Sequence, residues 1–141
     1  MTRINVSTGG FKNQKAERTS RDYIDAGIKN IELSGGKYDH NVLNNLKSLT
    51  SQAYFCIHNY FPPPNNSFVL NLCSNNTFIY EKSINHVMKA IDLCKKINSK
   101  EYSIHAGFRL DPDVDELGKK ISLKRKLIPK KECENRFYSA L

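Results

Sequence analysis

Two histidines and one glutamate stand where short β-rich segments give way to chain breakers. His58 precedes Asn59-Tyr60-Phe61 and the cluster Pro62-Pro63-Pro64-Asn65-Asn66, His105 precedes Ala106-Gly107, and Glu32 precedes Ser34-Gly35-Gly36. Successive strand residues point to opposite faces, so His58 shares a face with Cys56 and Tyr54, His105 with Ser103, and Glu32 with Ser34. In parallel α/β proteins the carboxyl ends of the strands are where sites are built. Two imidazoles and a carboxylate at such ends suit a divalent ion, because neutral imidazole binds zinc, manganese, iron or cobalt. Each residue also has a plainer role open to it: a strand-terminal histidine as a hydrogen-bonded structural group, Glu32 as a buried acceptor. His40 and His86 fall on loop or helix positions away from the strand ends and are expected to be solvated.

The elements that must position these groups follow from hydrophobic period. Arg3 to Thr8 alternates and stops at Gly9-Gly10, giving a first strand. Thr19-Ser20-Arg21-Asp22 has the form of a helix cap ahead of Tyr23, Ile24 and Ala26, with Gly27 as the stop. Lys29 to Ser34 alternates as a second strand, and Val42, Leu43, Leu46 and Leu49 recur at helical spacing. Gln52 to His58 is a third strand; Phe68 to Leu72 is apolar but short and is assigned to the loop behind it. Ile84, Val87, Met88, Ile91, Cys94 and Ile97 form an amphipathic stripe within a long helix over Thr77 to Ile97. Glu101 to His105 closes the series as a fourth strand, and a fourth helix is expected near Lys130 to Leu141.

Strands alternating with helices imply parallel pairing through right-handed crossovers, hence an α/β fold. An open doubly wound sheet and a closed barrel both fit that order. The loop Ser7-Thr8-Gly9-Gly10-Phe11 lacks the G-x-G-x-x-G spacing of a dinucleotide fold, which favours the barrel.

Bulk properties narrow the classes further. A chain of 141 residues has the length of one domain or of a piece of one. No apolar run approaches the roughly 20 residues of a membrane span, and Met1 to Gly10 lacks the apolar core of a secretory signal; a cytoplasmic protein is expected. Cys56, Cys73, Cys94 and Cys133 are widely spaced without a C-x-x-C pair and read as reduced thiols. The net charge of +8 is local: Lys119, Lys120, Lys124, Arg125, Lys126, Lys130 and Lys131 contribute seven of it with no acid between them. The remainder carries +1, so the whole-surface basic field of a nucleic-acid binder is absent, and the basic segment is a solvated face or a phosphate site.

The segment Ile57-His58-Asn59-Tyr60-Phe61-Pro62-Pro63-Pro64, followed by Phe68-Val69-Leu70-Asn71-Leu72-Cys73-Ser74, resembles the histidine, short loop and Leu-Asn-Leu signature after strand three of the xylose-isomerase-like (β/α)₈ TIM barrels. Tyr102-Ser103-Ile104-His105-Ala106-Gly107-Phe108 is similar to the strand-four His-x-Gly signature of that superfamily, and Ile31-Glu32-Leu33-Ser34-Gly35-Gly36 to strand two of its sugar-isomerase-like members. The superfamily includes sugar phosphate isomerases and epimerases and the endonuclease IV family of abasic-site nucleases.

The resemblance implies a divalent metal, zinc or manganese, at the barrel mouth, with His58 and His105 at positions where the nuclease branch binds zinc. It implies a sugar or sugar phosphate as substrate and leaves Glu32 as the candidate catalytic carboxylate. Such barrels need about 250 residues, so residues 1–141 correspond to the N-terminal half of the domain, roughly its first four β/α units. The later ligands and acid-base groups of the family have no counterpart here; the chain alone is expected to be inactive, and its open sheet edge to need self-association or the missing C-terminal half. Two alternatives accompany this reading. One is an endonuclease IV-like nuclease, for which the loop after strand one offers only Phe11 and Lys12 and for which a nucleic-acid partner is not expected. The other is a non-catalytic half-barrel acting as an assembly module.

Overall fold

The computed structural model describes residues 4–11, 13–119 and 125–141. Arg3, Lys12, Lys120 and Lys124, which entered the expectations above, lie outside the described residues. The elements run β1 (Val6–Ser7), α1 (Ala16–Asp25), β2 (Asn30–Leu33), α2 (Val42–Lys47), β3 (Tyr54–His58), α3 (Thr77–Lys96), β4 (Tyr102–Ser103) and α4 (Lys130–Ala140), with short 3₁₀ turns at Thr8–Gly10 and Val114–Glu116. The fold is α/β, with a four-stranded all-parallel sheet in the order β1-β2-β3-β4. No helix among the described residues is long and apolar enough to cross a membrane. The chain divides into two compact units, Met1–Asn65 with Met88–Ile104, and Asn66–Val87 with His105–Leu141.

The first unit holds the sheet. Ile31 and Leu33 of β2 and Phe55 and Ile57 of β3 are at most 2% exposed and share one face, where they meet Leu46, Leu49, Ala90, Leu93, Cys94 and Ile97. The residues between them, Asn30 and Glu32 on β2 and Tyr54, Cys56 and His58 on β3, occupy the other face, in register with Ser7 of β1 and Ser103 of β4. Helix α1 begins three residues before the expected cap: Thr19 lies inside it, 1% exposed, with Ser20 bonded back to the Ala16 carbonyl. Buried Ala16, Thr19 and Ser20 and partly buried Tyr23 and Ile24 form a row along the helix, while Glu17–Arg21 and Arg18–Asp22 pair along its outer side. Gly27, at φ +82°, ends it as expected.

Strand β4 is two residues long, not five. Its partner β3 ends at His58, and Asn59, at φ +40°, turns the chain away after one last bond from its N–H to the Ser103 carbonyl, 2.6 Å. His105 therefore lies beyond the ladder. The buried side of α3 is also displaced about one position from the expected stripe. Met88 is 56% exposed, whereas Ser83, His86, Ala90, Leu93 and Cys94 are buried. His86, expected to be solvated, is 5% exposed and stands edge-on to the Phe68 ring; His40 is exposed.

Asp39 ties the start of α1 to the start of α2. Its carboxylate accepts from Lys15 Nζ at 3.0 Å, the Asn41 N–H at 3.1 Å and Asn45 Nδ2 at 2.7 Å. Burial works to raise its pKa, but these donors outweigh burial and hold it below its ordinary value.

In the second unit the Phe68 to Leu72 segment is a loop, as expected, yet Leu70, Asn71 and Leu72 are almost wholly buried. Asn71 is its hub. The amide donates to the Leu110 carbonyl (3.0 Å) and Asp111 Oδ1 (2.8 Å), and its oxygen accepts from the Cys73 and Phe108 N–H groups (3.1 and 2.9 Å). Gly107 is the residue that permits this: its φ is +122°, and a Cβ there would stand 2.2 Å from the Asn71 oxygen. Cys73, Ile128 and Cys133 form a small buried cluster with Phe137.

Two outcomes follow from these networks. Asp39→Asn should cost about 1–3 kcal/mol at neutral pH. A depressed carboxyl pKa stabilises above its unfolded value and loses that contribution as pH falls through the folded one. Thermal denaturation between pH 6 and 2 should therefore show a weaker acid dependence below about pH 4 in the variant; an unchanged acid limb would exclude this role. Gly107→Ala should lose 2 kcal/mol or more locally, read as faster hydrogen exchange at the Cys73 and Phe108 amides; unchanged protection at both would show that the loop tolerates a side chain there.

Candidate functional site

The polar face of the sheet gathers side chains with chemistry at its carboxyl end. Parallel register sets Ser7 opposite Glu32, Glu32 opposite Cys56, and His58 opposite Ser103. Glu32 and His58, on adjacent strands and two residues apart in register, meet with Oε2 and Nδ1 separated by 3.8 Å; each side chain is 30% exposed. That exposure leaves the pair reachable by a small molecule while part of it is desolvated.

The surroundings fix the electrostatics. Cys56 lies opposite Glu32 and two residues before His58, 6% exposed, with its Sγ toward the Ile31 carbonyl at 3.8 Å. Burial, then the Glu32 and Glu101 carboxylates, push its thiol up to about 11, so it is a neutral group at pH 7 rather than a nucleophilic thiolate. Tyr102 donates its phenol to the Asn59 carbonyl at 2.9 Å, which braces the turn that follows His58. Burial pushes that phenol up to about 12 and keeps it a donor.

Beside Glu32, the loops after β1 and β2 pack against each other through glycine. Ser7 Oγ and Ser34 Oγ are 2.5 Å apart, the Gly9 N–H donates to Ser7 Oγ at 3.2 Å, and the Ser34 N–H donates to Thr8 Oγ1 at 3.2 Å. A Cβ on Gly9 would come within 2.7 Å of Ser34 Oγ. The sequence reading passed over these hydroxyls. The signal was present as a repeated pattern, Ser7-Thr8-Gly9-Gly10 after one strand and Ser34-Gly35-Gly36 after the next.

Of the three residues expected to form the site, the structure brings Glu32 and His58 together. His105 belongs to the second unit, exposed, on the segment that leaves β4. An imidazole nitrogen and a carboxylate oxygen are suitable donors for zinc or manganese, and they make two of the three protein ligands that a catalytic zinc keeps. Among the described residues no group of three or more His, Cys, Asp or Glu side chains is placed to hold an ion. The pair therefore fits a metal as part of a ligand set, not as a whole one.

The basic segment does less than its composition suggested. Arg125 is engaged inside the second unit, with both Glu116 oxygens at 2.5 Å and the Asp111 carbonyl at 2.8 Å, and Lys130 pairs with Glu134. The bond from the Asp113 N–H and the Arg125 guanidinium hold the Glu116 carboxyl below its ordinary range. Phe11 is half-exposed and set edge-on to Tyr23. No protein-family model matches the chain, and no curated protein matches it.

Proposed function

We propose that the four-stranded sheet is the first half of a metal-dependent (β/α)₈ barrel that isomerises or epimerises a sugar or sugar phosphate. His58 is a metal ligand in this reading and Glu32 is the carboxylate that moves the substrate proton. The observation that carries it is the Glu32–His58 pair, half-exposed at the carboxyl end of adjacent parallel strands, where α/β folds build their sites. His105 as a further ligand rests on the resemblance of its motif.

A bound divalent ion would polarise a carbonyl or hydroxyl oxygen of the sugar. The chain's own groups supply the remaining steps. Glu32 takes a proton from the carbon next to the carbonyl and returns it to the carbonyl carbon, while the hydroxyl proton of the first carbon passes to the carbonyl oxygen, so atoms and charge balance and the carboxylate is restored. Its contact with His58 sets where that carboxylate lies. The Ser7 and Ser34 hydroxyls beside it suit the hydroxyl groups of a polyol, since each can both donate and accept. The sheet ends at β1 and β4 among the described residues. A partner half, either a second copy or further barrel strands, is part of the proposal, and the same edges support an assembly module as a second reading.

Metal content after equilibration with zinc or manganese and dialysis tests the ligand assignment. The wild-type chain should retain the ion, and His58→Ala, Glu32→Gln and His105→Ala should each weaken retention about tenfold or more without loss of helical circular dichroism. Exchange of a sugar carbon-bound proton with deuterated solvent should depend on Glu32. Equal retention in wild type and all three variants would overturn the metal reading; retention that depends on His58, with no proton exchange even when a complementary half is supplied, would favour the assembly module.

A further inference from the structure

Cys73 and Cys133 come from distant parts of the chain, the loop ahead of α3 and the first turn of α4, yet they pack into one buried cluster with Ile128 and Phe137, 4% and 7% exposed. Both thiols lean on the same stretch of backbone: Cys73 Sγ donates to the Ala106 carbonyl at 3.3 Å and Cys133 Sγ to the Phe108 carbonyl at 3.9 Å. The two side chains are also direct neighbours; burial first, then the contact with Cys133, pushes the Cys73 thiol up to about 12. The other two cysteines lack this arrangement. Cys56 lies on the polar face of the sheet and Cys94 in the apolar core on the opposite face, each with its sulfur toward a backbone carbonyl.

We propose that Cys73 and Cys133 are a reversible disulfide site, oxidised by a hydroperoxide, whose closure ties α4 to the loop ahead of α3. One sulfur attacks the peroxide, the O–O bond breaks, a water leaves and a sulfenic acid remains. The second sulfur then attacks that sulfur, the S–O bond breaks and a second water leaves. Two thiols and one hydrogen peroxide thus become one disulfide and two waters, with both thiol protons and two electrons passed to the peroxide. The neighbouring thiol traps the sulfenic acid before further oxidation can reach it. Burial keeps the Cys73 thiol protonated at neutral pH, so attack by that sulfur is slow and accelerates as pH rises.

Oxidation exchanges two weak S–H bonds to the Ala106 and Phe108 carbonyls for a covalent link. The Phe108 N–H bond to Asn71 remains as the tie between the 106–108 segment and the 71–73 loop, and the covalent link joins that loop to α4. The link closes a loop of about 60 residues, a length at which loop closure strongly restricts the unfolded chain.

The test is to expose the whole chain, natively folded, to hydrogen peroxide at pH 8, block remaining thiols with N-ethylmaleimide, and map non-reduced peptides by mass spectrometry. The expected result is a Cys73–Cys133 link as the dominant species, reversed by dithiothreitol, with Cys56 and Cys94 recovered as thiols. The thermal midpoint should rise by about 5–10 °C and hydrogen exchange at the Cys133 amide should slow. The same treatment in urea should scramble the pairings, which shows that the selectivity belongs to the fold. Links to Cys56 or Cys94 from the native chain, over-oxidation without a link, or thiols that survive with no link would overturn the proposal. So would a peroxide-induced rise in the midpoint that persists in Cys73→Ser/Cys133→Ser.

Discussion

The register of β2 against β3 is the constraint on which the site depends. Ile31, Leu33, Phe55 and Ile57 are fully buried on one face, and burying four such side chains contributes roughly 2 kcal/mol each. A slip of one residue would turn all of them outward and bring Asn30, Glu32, Cys56 and His58 into the apolar core. The apolar residues, which perform no chemistry, therefore decide that Glu32 and His58 face the same way and meet across adjacent strands. The glycine contact of Gly9 on Ser34 and the phenol of Tyr102 on Asn59 then hold the loops at either side.

The second unit depends on a polar hub instead. Asn71 satisfies all four of its bonding positions in the interior, two donated and two accepted, and an amide buried this completely is costly to mispair. It stands in the Leu70-Asn71-Leu72 signature and grips the His105-Ala106-Gly107-Phe108 segment through the Phe108 N–H. The two motifs that carry the family resemblance on either side of α3 are thus bonded to each other, which accounts physically for an asparagine between two leucines and for a glycine at φ +122°. The neighbouring thiols of Cys73 and Cys133 donate to the Ala106 and Phe108 carbonyls of that same segment.

Much of this was legible in the sequence where period and burial coincide. The alternation Ile31-Glu32-Leu33 and Phe55-Cys56-Ile57-His58 gave both strands and their faces, the α/β alternation gave the parallel order, and α3 begins at Thr77 as its pattern implied. Elsewhere a local signal gave way to a tertiary one. Thr19 has the chemistry of a cap but is spent in the interior of α1, because the helix needs a buried row facing the sheet. The segment from Glu101 to His105 did not make a five-residue strand, because β4 extends only as far as β3 offers it partners. His86 was misplaced because a histidine was counted as polar, although it falls three residues after buried Ser83 and four before buried Ala90. The described residues of the basic segment are largely exposed, as a solvated face requires, although Arg125 is also paired with Glu116.

The central proposal is that His58 is a metal ligand beside the Glu32 carboxylate. A crystal of the chain equilibrated with zinc, with anomalous scattering recorded across the zinc edge, tests it most directly. The account predicts a peak about 2.1 Å from a His58 ring nitrogen, on the sheet face that carries Glu32. A peak bound by other side chains, or none at this pair under saturating zinc, would contradict it.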